Sequence, residues 1–183
     1  PVSPFTAIKI LFSKLLSFLS FGRLSLSGWT VSEEAVVINI RFPRIAAASL
    51  IGASLSVAGA SYQGIFRNPM VSPDLLGAST GAGFGAALAI LLGGGYFMIT
   101  LSSFSFGLVA VLFAVIVAKK SRIDSTLSLV LAGVMISSLF SSGTSLIKLM
   151  ADTQDQLPAI TYWLMGSLSS IKMKDLSFAF FPI

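Results

Sequence analysis

Long apolar runs separated by short polar breaks set the pattern of this chain. Between Arg44 and Arg67 lie residues 45–66, IAAASLIGASLSVAGASYQGIF, about 22 residues without a charge and roughly 33 Å of helix, which matches the hydrocarbon core of a bilayer. From Leu75 to Ala118 about 44 uncharged residues follow, twice what one crossing needs. LGGGYF (Leu92 to Phe97) divides this run, because three glycines favour a turn over a helix interior, and the spacing predicts spans at about 75–92 and 98–118. A further run of about 23 uncharged residues between Asp124 and Lys148 is again of crossing length.

The two ends follow the pattern less closely. FTAIKILFSKLLSFLSF (Phe5 to Phe21) carries Lys9 and Lys14, and reads either as an imperfect first span with snorkelling lysines or as an amphipathic helix on the membrane surface. Its lysines interrupt the apolar stretch and no small-residue cleavage site follows, against a signal peptide. At the other end DLSFAFFPI opens an apolar run that stops at Ile183, as if within a span. Two shorter elements lie between spans. Thr30 and Glu33 have capping-box spacing, predicting a helix over about 31–40 that leads into RFPR. After Lys148 the polar MADTQDQ and the aromatic pair Tyr162 and Trp163 predict an interfacial helix. The fold class is therefore all-α, a polytopic helical membrane protein with about five to six spans.

Composition agrees: 55% of residues are hydrophobic, only 10% are charged, and the mean hydropathy is +0.92. The net charge of +5 is spread singly or in short clusters between apolar runs, unlike the aromatic-laced basic patches of a nucleic-acid binder. Without Cys or His, this stretch offers no thiolate, imidazole base or Cys/His zinc site, and no nucleophile, base and orienting group assemble into an enzyme centre. Alternating crossings place Lys119, Lys120 and Arg122 on the side of Arg67, which the positive-inside rule makes cytoplasmic. Arg41 and Arg44 then lie outside with MADTQDQ, against that rule, a position that fits lipid headgroups or an acidic partner. Glu33, Glu34, Asp74, Asp124, Asp152, Asp155 and Asp175 all fall in loops or at span ends. A carrier driven by protons usually keeps a carboxylate within the membrane, so the energy is expected from elsewhere, with ATP hydrolysis on a separate subunit the obvious source.

The segment RNPMVSPDLLGASTGAG (67–83) needs its own account. GASTGAG lacks the Gly-Lys-Ser/Thr of a phosphate loop. Gly77, Gly81 and Gly85, with Gly52 and Gly64 in the preceding run, repeat at spacings that let helix backbones approach closely in lipid. Pro69 and Pro73 disfavour helix at Asn68 and Ser72, so the chain turns sharply before the next helix. The polar run SSLFSSGTS reads as serine hydroxyls bonded back to their own helix.

Residues 40–83, IRFPRIAAASLIGASLSVAGASYQGIFRNPMVSPDLLGASTGAG, resemble the signature region of the permease subunits of type II ABC importers, the family that takes up iron-siderophores, haem and cobalamin. LAGVMISSL (Leu131 to Leu139) and YWLMGSLS (Tyr162 to Ser169) recur in the family's order, so the resemblance covers the chain beyond about Leu24. It implies one transmembrane permease domain over residues 1–183, truncated on its C-terminal side and lacking about half of some ten spans. It further implies a second permease subunit, as homodimer or paired heterodimer, two ATPase subunits holding ATP and Mg, and an extracytoplasmic substrate-binding protein, in the inner membrane of a prokaryote. No cofactor is expected on this chain itself. By resemblance, Arg41 and Arg44 dock the binding protein, Asn68, Pro69 and Met70 form the cytoplasmic gate, and Ala132, Gly133 and Ser137 line the translocation path. Met70 stands where the family more often has leucine, which keeps the apolar bulk. A non-transporting membrane paralogue and an ion-coupled carrier are the alternatives.

Overall fold

The computed structural model describes residues 2–20, 28–69, 71–120, 125–169 and 171–173. Seven α-helices and one π-helical turn carry the described chain, and no strand occurs among these residues: α1 (Pro4–Leu19), α2 (Val31–Val36), the π turn (Val37–Arg41), α3 (Phe42–Phe66), α4 (Ala78–Leu91), α5 (Tyr96–Lys120), α6 (Ser125–Met150) and α7 (Gln156–Met165). The all-α, polytopic reading stands. Three helical stretches are long and apolar enough to cross a membrane: Val31–Phe66, Tyr96–Lys120 and Thr126–Met150. Contacts divide the chain into two compact units, one of Pro1–Ser56 with Ser167–Ile183 and one of Val57–Gly166, the boundary falling inside α3.

In the first unit α1 starts on Ser3, whose hydroxyl accepts from Thr6 N–H at 3.2 Å, with Pro4 in the first turn where a missing N–H costs nothing. Its 16 residues make only about 24 Å of helix, short of a straight crossing. Lys14 pairs with Glu34 at 2.6 Å, and Glu34 also accepts from the Trp29 indole at 3.0 Å, tying α1 to α2. The Thr30–Glu33 capping box is present as expected. The helix it starts does not end at RFPR, however. It runs through the π turn and buried Pro43 into α3, one rod of 36 residues. In a regular α-helix the Pro43 ring would press on the carbonyl four residues back. The wider turn, closed by Phe42 N–H on the Val37 carbonyl, makes room for it.

The second unit is built on a hairpin of α4 and α5. A Cβ at Gly81 would lie 2.6 Å from both the Ala110 Cβ and the Phe106 carbonyl oxygen, and one at Gly85 2.5 Å from the Ser102 carbonyl oxygen. These two glycines let the backbones touch, and the Ser102 hydroxyl donates to the Gly85 carbonyl at 2.7 Å across the seam. The LGGGYF turn is a Schellman motif: Gly93 has φ +71°, its N–H bonds Ile90 O, and Gly94 N–H bonds Ala89 O at 2.8 Å. Phe84, Phe106 and Phe140 meet edge to face, with centroids 5.2, 5.4 and 6.4 Å apart, where α4, α5 and α6 converge.

One expectation for this unit is corrected, and a second element gains a partner that the sequence did not name. The span anticipated at 75–92 is a helix of only 14 residues, about 21 Å, preceded by irregular chain. Val71 and Leu76 of that chain are buried with Phe66, Ala110, Ala114, Ile136 and Phe140, so protein covers this part of the non-helical segment while Asn68, Pro69, Ser72 and Asp74 stay exposed. α7, expected as an interfacial helix, runs antiparallel beside α4. Gln156 donates to Leu91 O at 3.2 Å, Ile160 joins the buried cluster of Ala87, and Leu164 fills the space left by Gly83. The last turn of α7 is thus level with the middle of α4. The run from Asp175 expected to open a final span, like Arg122, lies outside the described residues.

Candidate functional site

The corner between α3 and α4 is held by backbone geometry. Arg67 takes a left-handed conformation, φ +47°, the position that glycine usually fills after a helix. Its N–H reaches Gly64 O at 3.4 Å, and Asn68 N–H reaches Gln63 O at 3.2 Å, the paired bonds of a Schellman motif. Gln63 is used twice, because its side-chain amide donates to Pro69 O at 3.1 Å and clamps the Asn-Pro turn to the helix end. Further along, Pro73 rests against α3 where a Cβ at Gly59 would lie 3.5 Å from its Cγ. Asp74 accepts from Ser79 N–H at 3.2 Å, satisfying one orphan donor of α4, while Gly77 (φ +78°) turns the chain into that helix. Asn68 and Pro69 are exposed, and Met70 lies outside the described residues. A non-glycine residue at such a φ costs about 1 kcal/mol. Arg67→Gly is therefore expected to stabilise the fold by no more than about 0.6 kcal/mol after the added freedom of the unfolded chain is counted, read as a slightly raised midpoint of unfolding in detergent micelles.

Next to this corner, α6 presents three faces set by its 3.6-residue period. Ala132, Ile136, Phe140, Gly143 and Ile147 turn toward α4, α5 and the corner. Leu131, Met135, Leu139 and Leu146 are exposed and apolar. The remaining face carries Ser137, Ser138, Ser141, Ser142, Thr144, Ser145 and Lys148. An open cavity of about 520 Å³ lies between this face and the corner, lined by Ser72, Asp74, Ser137, Ser138, Ser141 and Ser142 among others. As expected, several hydroxyls bond back along the helix: Ser138 to Val134 O at 2.9 Å, Ser142 to Ser138 O at 2.9 Å, Thr144 to Phe140 O at 2.9 Å and Ser145 to Ser141 O at 3.0 Å. Each such oxygen keeps lone pairs for the groove, which gives a hydroxyl-rich surface with Asp74 and Lys148 as its charged groups.

The expected path residues divide between these faces. Ser137 lines the cavity, whereas Ala132 and Gly133 are buried. A Cβ at Gly133 would overlap the Leu75 carbonyl oxygen, so α6 crosses the corner backbone in direct contact. Of the glycines expected to pack helices, Gly81 and Gly85 meet α5, and a Cβ at Gly77 would lie 2.7 Å from the Ser137 hydroxyl. At Gly52 and Gly64 a Cβ would meet nothing within 4 Å among the described residues. Gln63 and Gly59 were not singled out from sequence. A glutamine at the end of the small-residue helix, five residues before the Asn-Pro turn, was the available signal for the first.

The two arginines differ. Arg41 is exposed at the end of the π turn. Arg44 is half-buried, its guanidinium donates to the Ser169 carbonyl, and its Nε is buried without a hydrogen-bond partner. Arg44 thus serves the local structure of the first unit, and Arg41 is the cation of the pair that faces outward from it.

Residues 3–183 match the FecCD transport family. The molybdate import system permease protein MolB of Haemophilus influenzae is 37% identical over 150 residues, 82% of this chain and 44% of that protein. The vitamin B12 import system permease protein BtuC of Shigella boydii is 35% identical over 168 residues, 87% of this chain and 50% of its own length. A solved structure of a transporter assigned to the metal-chelate ABC type, in an inward-facing conformation, is 36% identical and superposes with a TM-score of 0.76 over 96% of this chain and 56% of that one. The chain spans about half the length of the curated relatives it matches. The chain belongs to the FecCD transport family.

Proposed function

We propose that this chain forms part of the permease subunit of a binding-protein-dependent ABC importer in the cytoplasmic membrane of a prokaryote, passing a metal chelate or related small solute. The observation that carries this reading is the collinear family match over residues 3–183, on a chain whose helices leave a hydroxyl-lined groove beside a braced corner. A relative named for molybdate broadens the cargo beyond the iron-siderophores, haem and cobalamin that the sequence suggested, while one named for vitamin B12 falls within that set. A second permease subunit would complete the path, two ATPase subunits would supply the energy, and an external binding protein would deliver the solute.

In this reading the corner at Asn68, Pro69 and Met70 closes the cytoplasmic end of the path between cycles, and Ser137 lies on the wall of the groove leading to it. The Gln63 clamp fits that role, because it fixes the turn to the end of α3 while leaving Asn68 and Pro69 on the surface. Replacing Asn68 and Met70 together with alanine is expected to raise ATP hydrolysis in the absence of solute in the complete transporter. An unchanged basal ATPase rate would remove the gate assignment.

Docking of the binding protein falls to Arg41. Charge complementarity at such a face chiefly aids encounter and register. Arg41→Glu is expected to weaken capture of the binding protein by about tenfold, with a smaller defect at high salt, when association is followed by surface plasmon resonance on the reconstituted transporter. Arg44→Glu is a poorer probe, since it removes the Ser169 contact as well as the charge. Equal association rates for wild type and Arg41→Glu would move the docking face elsewhere.

A further inference from the structure

We propose that the cavity around Lys148 is a subsite for an anionic oxygen group, a small oxyanion or one acidic arm of a larger chelate. This deepens the permease reading, on which it rests, by giving a charge class to what passes the groove.

The cavity measures about 290 Å³ and forms where the hydroxyl face of α6 meets the first turns of α4 and the last turn of α7. Ser79 and Thr80 come from α4, Ser141, Thr144, Ser145 and Lys148 from α6, and Leu164 closes one side. Lys148 is half-buried and makes no ion pair with a described residue. An ammonium partly withdrawn from water without a counter-charge loses hydration that an anion would restore.

The hydroxyls sort into two groups. Thr80, Thr144 and Ser145 donate to the Gly77, Phe140 and Ser141 carbonyls at 3.0, 2.9 and 3.0 Å, so their protons are engaged. The Ser79 and Ser141 hydroxyls donate to no described group and remain available. One ammonium with three donors, and two free hydroxyls from a different helix each, therefore face one space. That donor set suits an oxyanion or carboxylate.

Nearby carboxylates do not compete for the lysine. Asp74 lies in the neighbouring cavity, bonded to Ser79 N–H at 3.2 Å at the start of α4. Asp152 accepts from the N–H groups of Gln154 and Asp155 at 3.2 and 3.1 Å in the loop after α6. A lysine in a last helical turn also complements the helix dipole. That explains a cation near Met150 but not the convergence of free hydroxyls upon it. The volume is below that of pockets enclosing a whole drug-sized ligand, roughly 300–1,000 Å³, so the site takes a group and not an entire chelate. Ser141 lines both cavities, which therefore adjoin along α6.

The anionic group has two possible sources, a transported solute or the phosphate of a phospholipid headgroup, and the experiment separates them. The full-length permease is placed in nanodiscs of phosphatidylcholine, and binding of radiolabelled molybdate is measured by equilibrium dialysis without ATP. Parallel nanodiscs containing phosphatidylglycerol are examined by native mass spectrometry for retained anionic lipid. Wild type and Lys148→Arg are expected to bind alike, Lys148→Met about tenfold or more weakly, and Ser141→Ala about threefold to tenfold more weakly. Loss of molybdate binding in Lys148→Met assigns the site to a solute anion. Loss of retained phosphatidylglycerol with no molybdate binding by any variant assigns it to a headgroup. Equal molybdate binding and equal lipid retention by wild type, Lys148→Met and Ser141→Ala would overturn the proposal, as would neither probe binding the wild type. Should Lys148→Met fail to fold, Ser141→Ala decides by the same readout. Because no ATP enters the assay, failure here leaves the importer reading intact, and failure of ATP-dependent uptake leaves this binding result standing.

Discussion

Gly133→Ala is expected to destabilise the fold by about 3 kcal/mol, at the upper end of what overpacking a core usually costs. The added Cβ would overlap the carbonyl oxygen of Leu75 and also lie 3.2 Å from the Leu76 Cα. Both are backbone atoms of the corner, which no side-chain rotation can move aside. Leu76 is buried with Phe66, Val71, Ile136 and Phe140, so displacing the corner disturbs the core on both sides of the contact. Gly95→Ala is the matched control: its Cβ would meet nothing within 4 Å, and a change within about 0.5 kcal/mol is expected. Reversible unfolding in mixed micelles measures both. A Gly133→Ala protein as stable as the Gly95→Ala one would mean that α6 and the corner are not in direct contact.

Phe84→Ala is expected to cost about 3 kcal/mol, the lower end for a core aromatic, because the ring is half-buried. The ring makes edge-to-face pairs with Phe106 at 5.2 Å and Phe140 at 5.4 Å, each worth about 0.5–1.5 kcal/mol beyond the area it covers. It also occupies the space left by Gly143, where an added Cβ would lie 2.7 Å from the Phe84 Cε2. Truncation would leave a void that Gly143 cannot fill, at the junction of three helices. Phe84→Leu restores much of the volume and is expected to lose about half as much. The same micelle assay reads both, and a loss below about 1 kcal/mol for Phe84→Ala would show that helix packing here does not depend on the aromatic trio.

What could be read from sequence depended on whether a local rule decided the outcome. The LGGGYF turn was legible because a left-handed residue after a helix favours glycine, and Gly93 takes that conformation. The capping box at Thr30 and Glu33 was legible because both partners lie within one turn. Charges at the ends of apolar runs located α5 and α6 for the same reason. Where distant parts of the chain decided, local rules failed. The helix expected over about 31–40 continues past RFPR, because the π turn absorbs Pro43 within a continuous helix. Residues 75–77 looked like the start of a span, but Asp74 and Gly77 delay the helix to Ala78, and Val71 and Leu76 anchor the preceding loop in the core. Tyr162 and Trp163 suggested an interface, and only the contacts of Gln156, Ile160 and Leu164 reveal that α7 follows α4.

For the site, residue type was legible and facing was not. Ala132, Gly133 and Ser137 lie on one helix within two turns, and the side on which each points follows from where α4 and the corner cross α6. Arg41 and Arg44 are alike in sequence, but only Arg44 finds a carbonyl from residue 169. That contact joins positions 125 apart in the chain, beyond the reach of any local pattern.

The most direct test of the importer reading is solute uptake. The full-length permease, its ATPase and its binding protein would be reconstituted in proteoliposomes, and entry of molybdate, a ferric chelate and cobalamin measured separately. Accumulation of at least one of these is expected only when ATP is present on the ATPase side and the binding protein on the other. Accumulation that proceeds without ATP on an imposed ion gradient, or a permease with which no ATPase assembles, would contradict the importer reading.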